Sequence, residues 1–279
     1  SFFDSAATSS NNFTVTNGTV TAPTVRLTVG GSFQNFGTFT SGVGQLKLNS
    51  NTSGNSVRAG GSALYNVVFD GVAGSWSFTD TNTTVSRDFT ILNGSTTLPT
   101  GTLSVGGSWT TTGGTFTAGS GTVTFNATTT GKTIDSGASS FGNLTLNSSA
   151  GGWTMLQNAT TTASMTITSA NTFVLTQNKV LAVGGTFTNS VGGSATTWAT
   201  TTLSLYSGTN YTINTKSAGN DVYGTLLVGT NTDVRMWDSS AATTTVDATA
   251  SLYSQDHTAV SGDLYIWGDY VRSSGSDYW

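Results

Sequence analysis

Leu103-Ser104-Val105-Gly106-Gly107-Ser108-Trp109 is the stretch on which the reading turns. It has an earlier copy in Leu27-Thr28-Val29-Gly30-Gly31-Ser32-Phe33 and a later one in Leu181-Ala182-Val183-Gly184-Gly185-Thr186-Phe187. A degraded fourth copy reads Leu264-Tyr265-Ile266-Trp267-Gly268-Asp269-Tyr270. The copies start at positions 27, 103, 181 and 264, so the intervals are 76, 78 and 83. Other positions keep this period: Val67, Leu144 and Leu226 align, as do Trp76, Trp153 and Trp237. Repetition at a nearly fixed interval signals an array of stacked units.

An interval of this size suits tandem β-sandwich domains as well as a solenoid. The finer spacing separates the two. Apolar-x-apolar strand cores start at Phe13, Leu27, Leu46, Val67, Phe89, Leu103, Val123, Leu144, Met165, Leu181, Leu203, Leu226, Val246 and Leu264. The thirteen steps run 14, 19, 21, 22, then 14, 20, 21, 21, then 16, 22, 23, 20, and last 18. A sandwich has no reason to space its strands so evenly, whereas a coil that returns the chain to one face does. The spacing predicts an all-β, right-handed parallel β-helix (a β-solenoid) of about 13 coils of ~19–20 residues, grouped in four-coil repeats. At ~4.8 Å per coil the rod is about 60 Å long.

On this reading 1–279 is one continuous solenoid. Residues 1–26 end a repeat, 27–102, 103–180 and 181–263 are repeats, and 264–279 start a fourth. Phe13-Thr14-Val15-Thr16-Asn17-Gly18 parallels Phe89-Thr90-Ile91-Leu92-Asn93-Gly94, so the chain is expected to be cut within a repeat at both ends. Such a chain is either part of a longer array or a subunit that stacks head to tail, because an open coil pairs with a further strand.

Composition supports strands and narrows the chemistry. Charged residues make up 8% of the chain, against roughly 25% in ordinary globular domains. All 13 acids are Asp. Thr, Ser, Asn and Gly stand where exposed helix faces would carry Glu, Lys and Arg. Hydrophobic residues still reach 35% and recur regularly, which separates the chain from disordered polar sequences. The net charge of −4 and nine scattered basic residues argue against a nucleic-acid partner. No apolar run reaches the length of a membrane span. With no Cys and one His, metal ligation has almost no raw material, and no cofactor or metal is expected. The Gly-Gly pairs are followed by no Lys-Ser/Thr and fit no phosphate loop. They recur with the structural period and read as corners needing φ > 0.

Phe33, Trp109, Phe187 and Tyr270 share one position of the repeat and, alternating with Leu and Val, read as a core column. Val67, Leu144 and Leu226 read as another. Trp109 is therefore expected inside and Thr111 on the surface. Trp76, Trp153 and Trp237, bordered by Gly and Ser, are candidates for an interface or for stacking on a glycan. Ten Asn-x-Ser/Thr sequons, at Asn12, Asn17, Asn51, Asn82, Asn93, Asn126, Asn143, Asn147, Asn158 and Asn210, are candidates for N-glycosylation.

Catalytic constellations are sparse. The densest acidic group, Asp256, His257, Asp263 and Asp269, reads as a solvated turn, as do Asp233 and Asp238 around Trp237. A polysaccharide-degrading β-helix enzyme would need clustered carboxylates, and no catalytic residue is assigned. An ice-binding face would need stacked Thr-x-Thr pairs. Those at Thr110/Thr112, Thr128/Thr130, Thr160/Thr162 and Thr186/Thr188 fall at offsets 7, 5, 16 and 5 from Leu103, Val123, Leu144 and Leu181, so no single column forms.

Leu-x-Val-Gly-Gly-x-Phe/Trp, followed by Gly114-Thr115-Phe116-Thr117-Ala118-Gly119 and Gly121-Thr122-Val123-Thr124-Phe125-Asn126, resembles the β-strand-repeat surface proteins of uncultivated bacterial lineages. More distantly it is similar to the β-helical shafts of filamentous haemagglutinin-like adhesins. The resemblance covers essentially the whole chain. It implies large secreted proteins whose repeats form stalks or fibres, and it carries no catalytic residues. The expected function is a structural segment of an extracellular filament or cell-surface stalk. Its expected partner is another copy of itself or flanking repeats. A glycan-binding adhesin shaft is the alternative.

Overall fold

A computed structural model describes residue 2 and residues 4–191, 195–206, 211–214, 222–229, 232–237, 240–246, 251–254, 258–259, 263–266, 269–272 and 277–278. Beyond residue 206, side chains are described only at 224–229 and 232. The regular elements among these residues are all strands, and every pairing between them is parallel. Thr and Val at alternate positions favour the pleated conformation, and Gly, Asn and Ser interrupt it at short intervals. The chain is a β-solenoid of about ten turns. It divides into two compact units, residues 1–127 with 133–142 and residues 128–132 with 143–279.

In the first unit one stack runs through Ala7, Leu27, Leu46, Val67, Phe89, Trp109 and Ile134. A second joins Phe13, Phe33, Val57 and Phe78. A third joins Thr83, Leu103 and Val123, with Val85, Val105 and Phe125 beside them. The apolar side chains of these stacks point inward and pack on one another. Phe13 and Phe33 stack with ring centroids 5.7 Å apart, and Phe89 and Trp109 at 4.3 Å. In the second unit Leu144, Met165 and Phe187 form one stack. Trp153, Phe173 and Thr196 form another. A third runs Ala159, Leu181, Leu203 and Leu226, and its backbone continues through Thr244 to Leu264.

These registers correct the expected grouping into four coils. The long steps are turns: Leu27 pairs with Leu46, Leu46 with Val67 and Val67 with Phe89. The short steps are not. Phe13 pairs with Phe33 rather than Leu27, and Phe89 with Trp109 rather than Leu103. Met165 likewise pairs with Phe187 rather than Leu181. A short step is too little chain to complete a coil, so it carries the backbone two strand faces on, as from Met165 past Phe173 to Leu181, and leaves the turn unfinished. Three of the thirteen steps fall away, which leaves the ten or so turns of the fold. Val246 is also displaced: it pairs with Val228 and Ile266, while Leu226 pairs with Thr244.

Sequence-equivalent residues therefore lie in different stacks. Within the first unit Leu27 and Leu103 do so, and so do Phe33 and Trp109. Over the last and longest interval, Leu181 and Leu264 fall in the same stack.

Candidate interaction surfaces

The positions singled out for chemistry or recognition divide into three groups. The first is core. Phe33, Trp109, Phe187, Val67, Leu144 and Leu226 are fully buried. Trp76 and Trp153 are buried as well, each 1% exposed, which removes them as glycan-stacking or interface residues. The indole of Trp76 lies beneath the backbone of Gly71 and Gly74, and its Nε1 donates to the Gly31 carbonyl oxygen at 3.3 Å. Glycine borders the tryptophan because the ring fills the space that side chains would need, not because the site is open. Thr111 is likewise inside, 2% exposed, where its Oγ1 accepts the Trp109 Nε1–H at 3.0 Å. Residues 109 and 111 face the same way, as alternation requires. The Trp237 and Tyr270 side chains lie outside the described residues.

The second group is corner structure. Gly30 and Gly106 lack the positive φ expected of them. They are glycine for steric reasons: a Cβ at Gly30 would overlap the Ser10 carbonyl oxygen, and one at Gly106 that of Ser86. Backbone of the preceding coil passes directly over both.

Several sequon asparagines are corner residues too. The Oδ1 of Asn12 accepts the Ser32 N–H at 2.8 Å, and that of Asn82 accepts the Thr102 N–H at 2.7 Å. Asn158 does the same for Val180 at 3.0 Å and Asn143 for Ser164 at 3.2 Å. Asp88 plays this part for Ser108 at 2.8 Å. Each side chain caps an amide one coil ahead. The next residue turns inward and the one after it outward, so Asn-x-Thr follows from a capped corner followed by strand alternation. At Asn93 the Nδ2, the atom a glycan would take, donates to Asp70 Oδ1 at 2.7 Å. The Oδ1 of Asn147 accepts from Ser169 Oγ at 3.2 Å. Asn17, Asn51 and Asn126 are exposed, and Asn210 lies outside the described residues.

A polar residue also closes a corner from inside. Asn35 is fully buried, and its Nδ2 donates to the Ala59 carbonyl oxygen at 2.7 Å and to Ser62 Oγ at 3.1 Å. Its Oδ1 accepts the Gly37 N–H at 3.1 Å. Sequence reasoning passes over Asn35. Its signal is an Asn at an inward position of the alternation that begins at Phe33.

The third group is the outward surface. Thr102 and Ser104 pair with Thr122 and Thr124, and Thr145, Thr166 and Thr188 pair in a file of three. Thr110 pairs with Thr90 and Asp135, and Thr160 with Ala182, so the Thr-x-Thr pairs picked out in the sequence do not share a stack. Charge is sparse on these faces. Lys47 Nζ and Asp70 Oδ2 are 2.6 Å apart, and hydrogen bonding from Lys47, then from Asn93, holds the Asp70 carboxyl below its usual range. No group of three metal-ligating side chains occurs among the described residues. Asp238, Asp256 and His257 lie outside the described residues, as do the side chains of Asp233, Asp263 and Asp269.

Fold and surface together define an all-β, parallel β-solenoid repeat protein. No protein-family model, curated protein or solved structure matches the chain.

Proposed function

We propose that this chain is a structural segment of an extracellular filament or cell-surface stalk, of the kind formed by the β-strand-repeat surface proteins it resembles. The observation that carries this reading is the way each coil is used. Inward positions hold mainly interlocked apolar side chains with a few buried Thr, Ser and Asn, and among the described residues no charged residue is buried. Outward positions hold small hydroxyl and amide side chains, suited to a solvated surface with little fixed charge. Backbone hydrogen bonds run from coil to coil, so tension along the stack is shared by every strand of a rung. Further coils, whether of a longer chain or of a second copy, extend such a stack by strand addition.

Electron microscopy of native material tests the proposal. Fibres or stalks whose axial repeat matches stacked coils support it, and dispersed monomers at high concentration count against it. The competing reading is a polysaccharide-degrading enzyme. Release of oligosaccharides from uronate or neutral polysaccharides, abolished by His257→Ala or Asp256→Asn, would replace the structural reading.

A further inference from the structure

We infer that the first unit carries a binding site for a linear neutral glycan, in an open trough that crosses three successive coils. The trough is shallow and open to solvent, has a volume of about 400 Å³, and is lined by Val72, Ser75, Gly94, Ser95, Gly114 and Thr115, among others. Ser75 pairs with Ser95 and Ser95 with Thr115, so one hydroxyl stands on each coil in a single file. Strand geometry spaces them ~4.8 Å apart along the solenoid axis. The Ser75 hydroxyl accepts the Gly54 N–H at 3.0 Å. Those of Ser95 and Thr115 bond to no described residue, and both residues are exposed.

Two further features give the trough its character. Beneath it the coils pass closely over glycine: a Cβ at Gly94 would overlap the Gly74 carbonyl oxygen, and one at Gly114 the buried side chain of Ile91. Val72 stands at its edge 81% exposed, the most exposed large apolar side chain among the described residues. None of the lining residues is charged. The ligand must therefore be uncharged and elongated, with hydroxyls repeating at about the coil spacing and apolar C–H faces to cover Val72. A chain of pyranose rings lying along the axis meets these requirements. An acidic polysaccharide finds no cation in the trough to offset the desolvation of its carboxylates. The buried Trp76 ring lies under the glycines of the trough and does not line it.

Isothermal titration of the full chain with cellohexaose, xylohexaose and laminarihexaose, and with a polygalacturonate oligomer for comparison, tests the inference. Saturable binding of at least one neutral hexasaccharide is expected. Ser95→Arg and Thr115→Arg should weaken it at least about tenfold, whereas Thr84→Arg, on another stack, should not. Melting curves and circular dichroism establish that the variants fold. Protection of the 94–95 and 113–115 amides from hydrogen exchange on adding the bound hexasaccharide would locate the contact. The inference is overturned if no neutral hexasaccharide binds, if only polygalacturonate binds, or if the two trough variants bind like the parent chain.

Discussion

Phe33 and Trp109 occupy equivalent positions of the repeat yet stand in different stacks: Phe33 between Phe13 and Val57, Trp109 between Phe89 and Ile134. The repeat interval is three full coils plus part of a fourth, so a motif reappears on another face of the unit. Both rings are fully buried nonetheless, because every face presents the same inward environment.

Trp109 is the larger of the two and is packed against Phe89, Phe116 and Phe141. Trp109→Ala should lower stability by about 3–5 kcal/mol in urea denaturation. Thr111→Val keeps the shape but strips the indole N–H of its acceptor, and should cost about 1–3 kcal/mol. Thr110→Ser, on the outward side of the same strand, should change stability by less than about 0.5 kcal/mol. Equal effects from the last two would reverse the inward and outward assignment of this strand.

Gly106 should reject any side chain. Gly106→Ala places a methyl group against the Ser86 carbonyl and should destabilise by about 1–3 kcal/mol. Gly119 has a φ of +60° and open space around its Cβ position. Gly119→Asn should therefore be milder, below about 1 kcal/mol, since Asn tolerates the left-handed region. Comparing the two melting curves separates a packing requirement from a conformational one.

Removing the buried amide of Asn35 leaves the Gly37 N–H without its acceptor and takes one of two donors from the Ala59 carbonyl, which keeps the Ser62 N–H. Asn35→Ala should cost at least about 2 kcal/mol. Asn51→Ala, at an exposed sequon, should be close to neutral. An equal loss in both variants would show that the Asn35 network contributes nothing.

Asp70 makes a small prediction about pH. Its carboxyl is held below its ordinary value by the folded-state bonds from Lys47 and Asn93. A depressed carboxylate contributes stability that is present above the unfolded value, about 3.9, and lost as pH falls through the lower folded value. The pair is partly solvated, so the contribution should stay below about 1 kcal/mol. Asp70→Asn should flatten the stability profile below pH ~4 and shift stability at pH 7 by no more than that contribution. An identical slope in the parent and the variant would show that Asp70 adds nothing to the acid response.

The strand spacing is legible in the sequence because each coil places an apolar pair inward, as at Leu46 and Leu48 or Val123 and Phe125. Face assignment is not. The short step from Phe89 to Leu103 looks like a small coil until the pairing of Phe89 with Trp109 is known. Register of that kind depends on partners a whole coil away, and local alternation does not encode it. Glycine misleads in two ways. Beside Trp76 it suggests an open surface where a ring is packed under backbone, and at Gly106 it suggests a left-handed turn where two coils pass closely. The polarity of Thr111 argues for the outside, but its hydroxyl has a partner in the Trp109 indole. The trough beside Val72 leaves no mark in the sequence because its residues come from four separate segments that only stacking brings together.

The mismatch between repeat interval and coil length bears on how such a molecule grows. Duplicating the stretch from 27 to 102 lengthens the first unit and also rotates the pattern, since the new copy starts on a different face. A feature such as the Val72 trough, copied this way, would wind about a stem as a spiral staircase rather than line one side. A longer interval, like that from Leu181 to Leu264, brings the copies back into a straight row. A small change in repeat length thus chooses between display all round and display along one edge.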